Sequence, residues 1–176
     1  MNGELALLVY VSGNQISAQM PIDVPTGQPV SLSITNAGAT SNAVTVTVPA
    51  AAPGMFTLNG NEAIVQNQNG SLNSSLAPAH PGDVLVVYLT GGGAVNAAGP
   101  WVTGAAAPSG ISSVTAPYSL TVGGTPAVVE YLGLTPEFVG LYQANFIVPP
   151  ITPGSYPVVV TIAGVPSNAA SISVGD

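Results

Sequence analysis

Short apolar runs that alternate with period two, each stopped by Gly, Pro, Asn or Ser, dominate this chain. Val44, Val46 and Val48 alternate with Thr45 and Thr47, and Tyr118, Leu120 and Val122 with Ser119 and Thr121. Val158, Val160 and Ile162 repeat the pattern, as do Ile172 and Val174. Successive side chains of a strand point to opposite faces, so this alternation predicts half-buried antiparallel strands. The unbroken run Val84 to Leu89 predicts a central strand covered on both faces. No apolar stripe has helical spacing, and the 21 Gly and 17 Pro fall mostly between the runs, where turns need them. An all-β chain of β-sandwich type follows.

The strands are written twice. Tyr10-Val11, Ala18 to Pro21, Pro25-Thr26-Gly27, Ser31 to Ile34, Gly38 and Ser41 to Val46 form the first copy. Tyr131-Leu132, Phe146 to Pro149, Thr152-Pro153-Gly154, Val158 to Ile162, Gly164 and Ser167 to Ile172 form the second. The offset is 121 at the start (Tyr10 to Tyr131) and 126 at the end (Asn42 to Asn168), with the extra residues expected around Glu137 to Leu141. The second copy is preceded by Asp83 to Thr90, Tyr118 to Val122 and the Gly123-Gly124 turn. The first begins at the matching turn, Asn2-Gly3, so its two opening strands would lie before Met1. The expectation is an incomplete half-sandwich over residues 1–50 and a complete sandwich over 51–176, the latter with an added hairpin between Pro53 and Pro81.

Charge narrows the range of functions. The chain has no Lys and no Arg, seven acids and one His, giving a formal charge of −7. An average soluble domain of this length carries on the order of 20 basic residues. Without them nothing neutralises phosphates, so nucleic acid and anionic membranes are excluded as partners. Stability has to come from apolar burial and backbone hydrogen bonds. The chain also lacks any trypsin-type cleavage site, which suits life among extracellular proteases. Its neutral coat of Ser, Thr, Asn, Gln and Gly favours close self-packing. Leu5 to Val11 is apolar but short and without a basic flank, so it reads as neither signal peptide nor membrane span. A secreted chain would already have lost its signal.

Gly82-Asp83-Val84, Leu120 to Ala127, Val148-Pro149, Pro153-Gly154, Val158, Val160, Gly164 and Ser167-Asn168 together resemble the IPT/TIG type of immunoglobulin-like domain. Ala52 to Thr57, Ala63 to Ser74 and Phe138 to Asn145 resemble an uncharacterised C-terminal β-sandwich family of large secreted bacterial proteins. These resemblances imply immunoglobulin-like sandwiches and secretion to the bacterial exterior or cell surface. They imply no catalytic residue, because that family has no established activity.

Few residues offer chemistry. His80 lies in Ala79-His80-Pro81-Gly82-Asp83, a turn into a strand; Ser74, Ser75 and Asp83 are its neighbours in sequence only, and no G-x-S-x-G elbow is present. The acids Glu4, Asp23, Glu62, Asp83, Glu130, Glu137 and Asp176 stand singly. Asn59 to Glu62 and Asn67 to Ser71 are oxygen-rich but poor in carboxylates, so they read as turns and, only weakly, as Ca²⁺ ligands. No other cofactor is expected, and a Zn site is not credible with one His and no Cys. Asn69-Gly70-Ser71 and Asn73-Ser74-Ser75 match the glycosylation sequon, which an Asn- and Ser-rich loop also produces by chance. Trp101, alone in a Gly/Ala-rich connection, is a candidate contact for a glycan or surface protein, with folding back onto the sandwich as the alternative. Tyr10 and Tyr131 are expected to pack inside.

The expected function is therefore non-enzymatic: an extracellular structural protein that self-associates by strand complementation, as in a filament or cell-surface fibre. Its edge would run through Leu5, Leu7, Val9 and Val11, and its partner would be another copy joined head to tail. The alternative is an anchoring or glycan- or protein-binding module of a longer secreted protein.

Overall fold

In the computed structural model, which describes residues 1–176, the alternating runs become twenty short strands and no helix. The strands of residues 1–50 are β1 (Leu7–Val11), β2 (Ile16–Gln19), β3 (Pro29–Leu32), β4 (Thr35–Asn36), β5 (Ala39–Thr40) and β6 (Val44–Thr47). A bridging segment follows: β7 (Gly54–Met55), β8 (Thr57–Leu58), β9 (Glu62–Ala63) and β10 (Val65–Gln66). Then come β11 (Val84–Thr90), β12 (Val95–Asn96), β13 (Ser113–Val114), β14 (Tyr118–Val122) and β15 (Thr125–Pro126). The chain ends with β16 (Val128–Leu134), β17 (Tyr142–Ile147), β18 (Gly154–Ile162), β19 (Val165–Pro166) and β20 (Ala170–Val174).

Residues 51–176 build a β-sandwich from two seven-stranded sheets. One runs β10-β11-β17-β16-β13-β12 with β7 beside β11; the other runs β15-β14-β18-β20-β9-β8 with β19 beside β18. Alternate residues of both point inward. Leu85, Val87, Leu89, Leu132, Leu134, Ala144 and Phe146 come from the first sheet, and Leu120, Val122, Val158, Val160, Ile162, Ala170 and Ile172 from the second. Each large apolar side chain so buried stabilises the fold by ~1.5–3 kcal/mol.

Two expectations need correction here. The Val84–Leu89 run is a central strand, flanked by β10 and β17, but only its inner face is fully covered; Val84, Val86 and Tyr88 are half-buried. The residues between Pro53 and Pro81 are more than an added hairpin. β8 and β9 pair with each other around Asn59 and Gly60, whose positive φ values of 44° and 90° mark the expected Asn-Gly turn. β7 and β10, however, join β11 in the opposite sheet, so the segment crosses from one sheet to the other. Its passage past β11 requires glycine: a Cβ on Gly91 would strike the Ala52 carbonyl, and one on Gly92 the Tyr142 ring.

Residues 1–50 form three two-stranded sheets, β1-β2, β3-β6 and β4-β5. Their pairing repeats that of β16 to β20 residue for residue. Val30 faces Val46 as Tyr156 faces Ile172, and Thr35 faces Thr40 as Thr161 faces Pro166. β1-β2 shifts register between Leu8 and Tyr10 where β16-β17 shifts between Val129 and Tyr131. The turns match as well: Ala37 and Gly38 (φ 48° and 83°) answer Ala163 and Gly164 (52° and 78°). So do Asn2 and Gly3 (48° and 91°) and Gly123 and Gly124 (58° and 81°). Even the small polar bonds recur. The Ser41 hydroxyl accepts from Ile34 N–H and donates to the Asn42 carbonyl, as Ser167 does with Val160 and Asn168.

Candidate functional site

The two copies share backbone pairing but not covering. β17 of the second copy lies between β16 and β11, and β18 lies between β14 and β20. In the first copy β2 and β3 each have one partner strand. Residues that form the core in one place are therefore open in the other. Leu132 is 1% exposed and its counterpart Val11 59%; Val160 is 1% exposed and Ile34 46%; Ala170 is 0% exposed and Val44 52%. Ile16, counterpart of the buried Ala144, is exposed too. Only Pro21, Val24 and Val30 are buried within residues 1–50. An apolar face of this kind on a folded chain is the usual mark of a contact surface.

The edges differ in the same way. Along β20 the outward peptide groups are all engaged. Ser171 N–H donates to the Asn61 carbonyl at 2.7 Å, and Ser173 N–H and C=O are both held by the Asn73 carboxamide, at 2.7 and 3.0 Å. Gly175 N–H donates to the Ala79 carbonyl at 2.7 Å. Just before the strand, Asn168 clasps the peptide of Met55: its Oδ1 accepts from Met55 N–H at 2.7 Å, and its Nδ2 donates to the Met55 carbonyl at 3.2 Å. The counterparts in the first copy are Thr45, Thr47 and Asn42. No strand lies beside that edge of β6, and the Asn42 carboxamide, exposed, holds no peptide. Opposite residues of an antiparallel pair alternate between bonded and non-bonded. Ser31, which faces Thr45, has its N–H and C=O bonded to Asn2 instead. The Thr45 peptide groups thus point away from β3, into the open.

The expected association edge is placed differently from its reading in the sequence. Leu5, Leu7, Val9 and Val11 are all exposed, but they do not make one stripe. β1 starts only at Leu7, and the register shift between Leu8 and Tyr10 breaks the alternation. Leu7 turns toward the second unit and packs beside Gly104. In that contact Gly104 N–H donates to Gln19 Oε1, and Ile22 N–H to Thr103 Oγ1, each at 2.9 Å. Leu8, Val11, Ile16 and Ala18 share the other, uncovered face, by analogy with Val129, Leu132, Ala144 and Phe146. Tyr10 is exposed rather than internal, whereas Tyr131 is half-buried, its hydroxyl reaching the carbonyls of Leu134 and Ser112 at 2.7 and 3.2 Å. The edge of β6 was legible in principle from the repeat, by reading Thr45 and Thr47 over Ser171 and Ser173.

Trp101 folds back. Its ring packs against the core and its indole N–H donates to the Ala105 carbonyl at 3.1 Å, so it does not present a free stacking platform. His80 is an exposed turn residue whose Nδ1 lies 3.3 Å from Asp83 Oδ2; that oxygen also accepts His80 N–H at 2.8 Å. The Ser74 hydroxyl is occupied elsewhere, accepting Ala77 N–H. A hollow of about 440 Å³ lies among Asn67, Gln68, Asn69, Pro78, His80 and Asp83, yet much of its polar capacity serves the loop itself. Asn67 donates to Ser71 and Ala77, Asn69 accepts from Ser71, and Gln68 accepts from Val84 N–H. No three His, Asp or Glu side chains converge as metal ligands would. The one strongly shifted group is structural: burial pushes the Tyr142 hydroxyl up to about 12, and it donates to the Gly93 carbonyl at 2.6 Å. No family model matches this chain, and no curated protein is similar to it.

Proposed function

We propose that this protein is a non-enzymatic structural subunit of the cell exterior that associates with itself through the open strands of residues 1–50. On this reading residues 1–50 are an incomplete immunoglobulin-like unit, residues 51–176 are its complete counterpart, and a neighbouring copy supplies the missing cover. The observation that carries the proposal is the contrast between matched pairing and unmatched burial, with Val11, Ile34 and Val44 open where Leu132, Val160 and Ala170 are closed. Strand edges and apolar faces of this kind template strand addition. The absence of Lys and Arg adds resistance to trypsin-like proteases and leaves no bulky cation on any edge. A filament or surface fibre is the natural setting for such a subunit.

Sedimentation velocity over a concentration series, with negative-stain microscopy of the same samples, tests the reading. Concentration-dependent oligomers or fibres are expected. A monodisperse monomer at the highest concentration would overturn it, and an additional strand-bearing segment of a longer polypeptide would then be the source of the cover.

A further inference from the structure

We infer that the primary self-contact is a two-fold antiparallel pairing of β6 with β6 of a second copy, centred on Val46. This rests on the self-association reading above and names its strand and symmetry. Exchange of existing covering strands cannot fill the vacancy. Residues 1–176 hold one segment of the kind that covers β20 (Met55, Asn61, Asn73 and Ala79) and two edges of the kind it covers. Swapping that segment between copies would only move the vacancy to β20. Two bare edges meeting each other remove both at once.

The choice of β6 over β3 follows from what already occupies them. The free side of β3 is capped at Ser31 by Asn2, whose N–H donates to the Ser31 carbonyl at 2.9 Å and whose Oδ1 accepts Ser31 N–H at 2.8 Å. β6 has no such cap. It is short, four residues, but lacks the charged and proline protections of an exposed edge: no charged residue occurs between Val24 and Asn61, and Val44-Thr45-Val46-Thr47 contains no Pro or Gly. Pairing of β6 with β6 therefore brings no two charges of the strand itself together, although each copy carries a net −7 that weakens association at low salt.

The register is set by which peptide groups point outward. Thr45 and Thr47 face the open side, so Thr45 of each copy pairs with Thr47 of the other, exchanging backbone bonds. Val46 meets Val46 of the second copy across the axis as a non-bonded pair, Cα atoms about 4.5 Å apart. The β3-β6 sheets then fuse into one of four strands, with Leu32, Val44 and Val46 of both copies on a common face. Such a contact is isologous and closes on itself, so growth into a fibre needs a further edge, which the two-stranded β1-β2 sheet offers.

The native chain has no cysteine, which makes the test direct. Val46→Cys should form a disulfide-linked dimer under mild oxidation, because a non-bonded antiparallel pair falls within the ~4.4–6.8 Å Cα separation that disulfides need. Ser75→Cys, on an exposed loop, should not. Thr45→Pro removes an N–H that has no partner within the chain, and it should weaken self-association about tenfold or more while leaving the thermal unfolding of the monomer unchanged. If the wild-type chain associates but Val46→Cys fails to cross-link, or Thr45→Pro associates as well as wild type, the β6 pairing is wrong and self-association proceeds elsewhere. If the wild-type chain stays monomeric at every concentration, the pairing and the reading beneath it both fall.

Discussion

Asn168 and Asn42 hold the same place in two copies of one turn, yet only Asn168 grips a peptide. Asn168→Ala would leave the N–H and C=O of the buried Met55 without partners, at a cost of about 2–3 kcal/mol. Asn42→Ala should stay within about 0.5 kcal/mol in the monomer. Urea denaturation of both variants, followed by Trp101 fluorescence, checks the contrast. Tyr142 provides a pH handle. A tyrosine in the unfolded chain ionises near 10, whereas burial keeps the folded hydroxyl protonated up to about 12. Between those values the unfolded state binds fewer protons, so stability falls as pH rises through the window, by up to ~3 kcal/mol, and is unaffected below it. Tyr142→Phe should flatten most of that slope in urea midpoints measured from pH 9 to 12. Tyr131, also shifted upward by burial, would leave a smaller remainder. At the same scale, Gly92→Ala forces a methyl into the Tyr142 ring and should cost roughly 2 kcal/mol or more by overpacking, read as a lowered melting temperature.

At the scale of the element, equal sequence positions have unequal weight because their neighbours differ. Leu132→Ala on β16 opens a cavity in the core and should cost ~2–5 kcal/mol. Val11→Ala, at the matching place on β1, should change monomer stability by less than about 0.5 kcal/mol. Denaturant midpoints at low protein concentration compare the two. Strand identity was largely readable from residues: alternation marked β6, β14, β18 and β20, and the recurring Gly, Pro and Asn positions marked their turns. The β1-β2 register shift was not readable, since no Gly or Pro flags it between Leu8 and Tyr10 and only pairing with β2 reveals it. That is why Leu5 to Val11 looked like one stripe. The path of β7 to β10 across both sheets was equally hidden, because a two-residue strand carries no period. Trp101 was a choice between two environments, and the partners that settle it, the core and the Ala105 carbonyl, belong to tertiary structure.

The whole molecule is one duplicated set of pairings, covered in residues 51–176 and open in residues 1–50. The duplication was visible in the sequence, in the recurring Gly, Pro and Asn positions of residues 1–50 and 128–174. The β6 edge as the barest part of the first copy emerged only once hydrogen bonds placed Asn2 on β3 and left Thr45 and Thr47 facing outward. Open strands with few buried side chains exchange their amide hydrogens quickly, unlike strands locked in a core. Amide hydrogen exchange resolved to single strands, recorded at low and high protein concentration, therefore reads out whether a second copy covers β1 to β6. β11, β17, β18 and β20 should be protected at both concentrations, while β1 to β6 exchange quickly when dilute and gain protection as concentration rises, β6 foremost. Exchange in β1 to β6 that is equally fast at every concentration would contradict cover by a second copy.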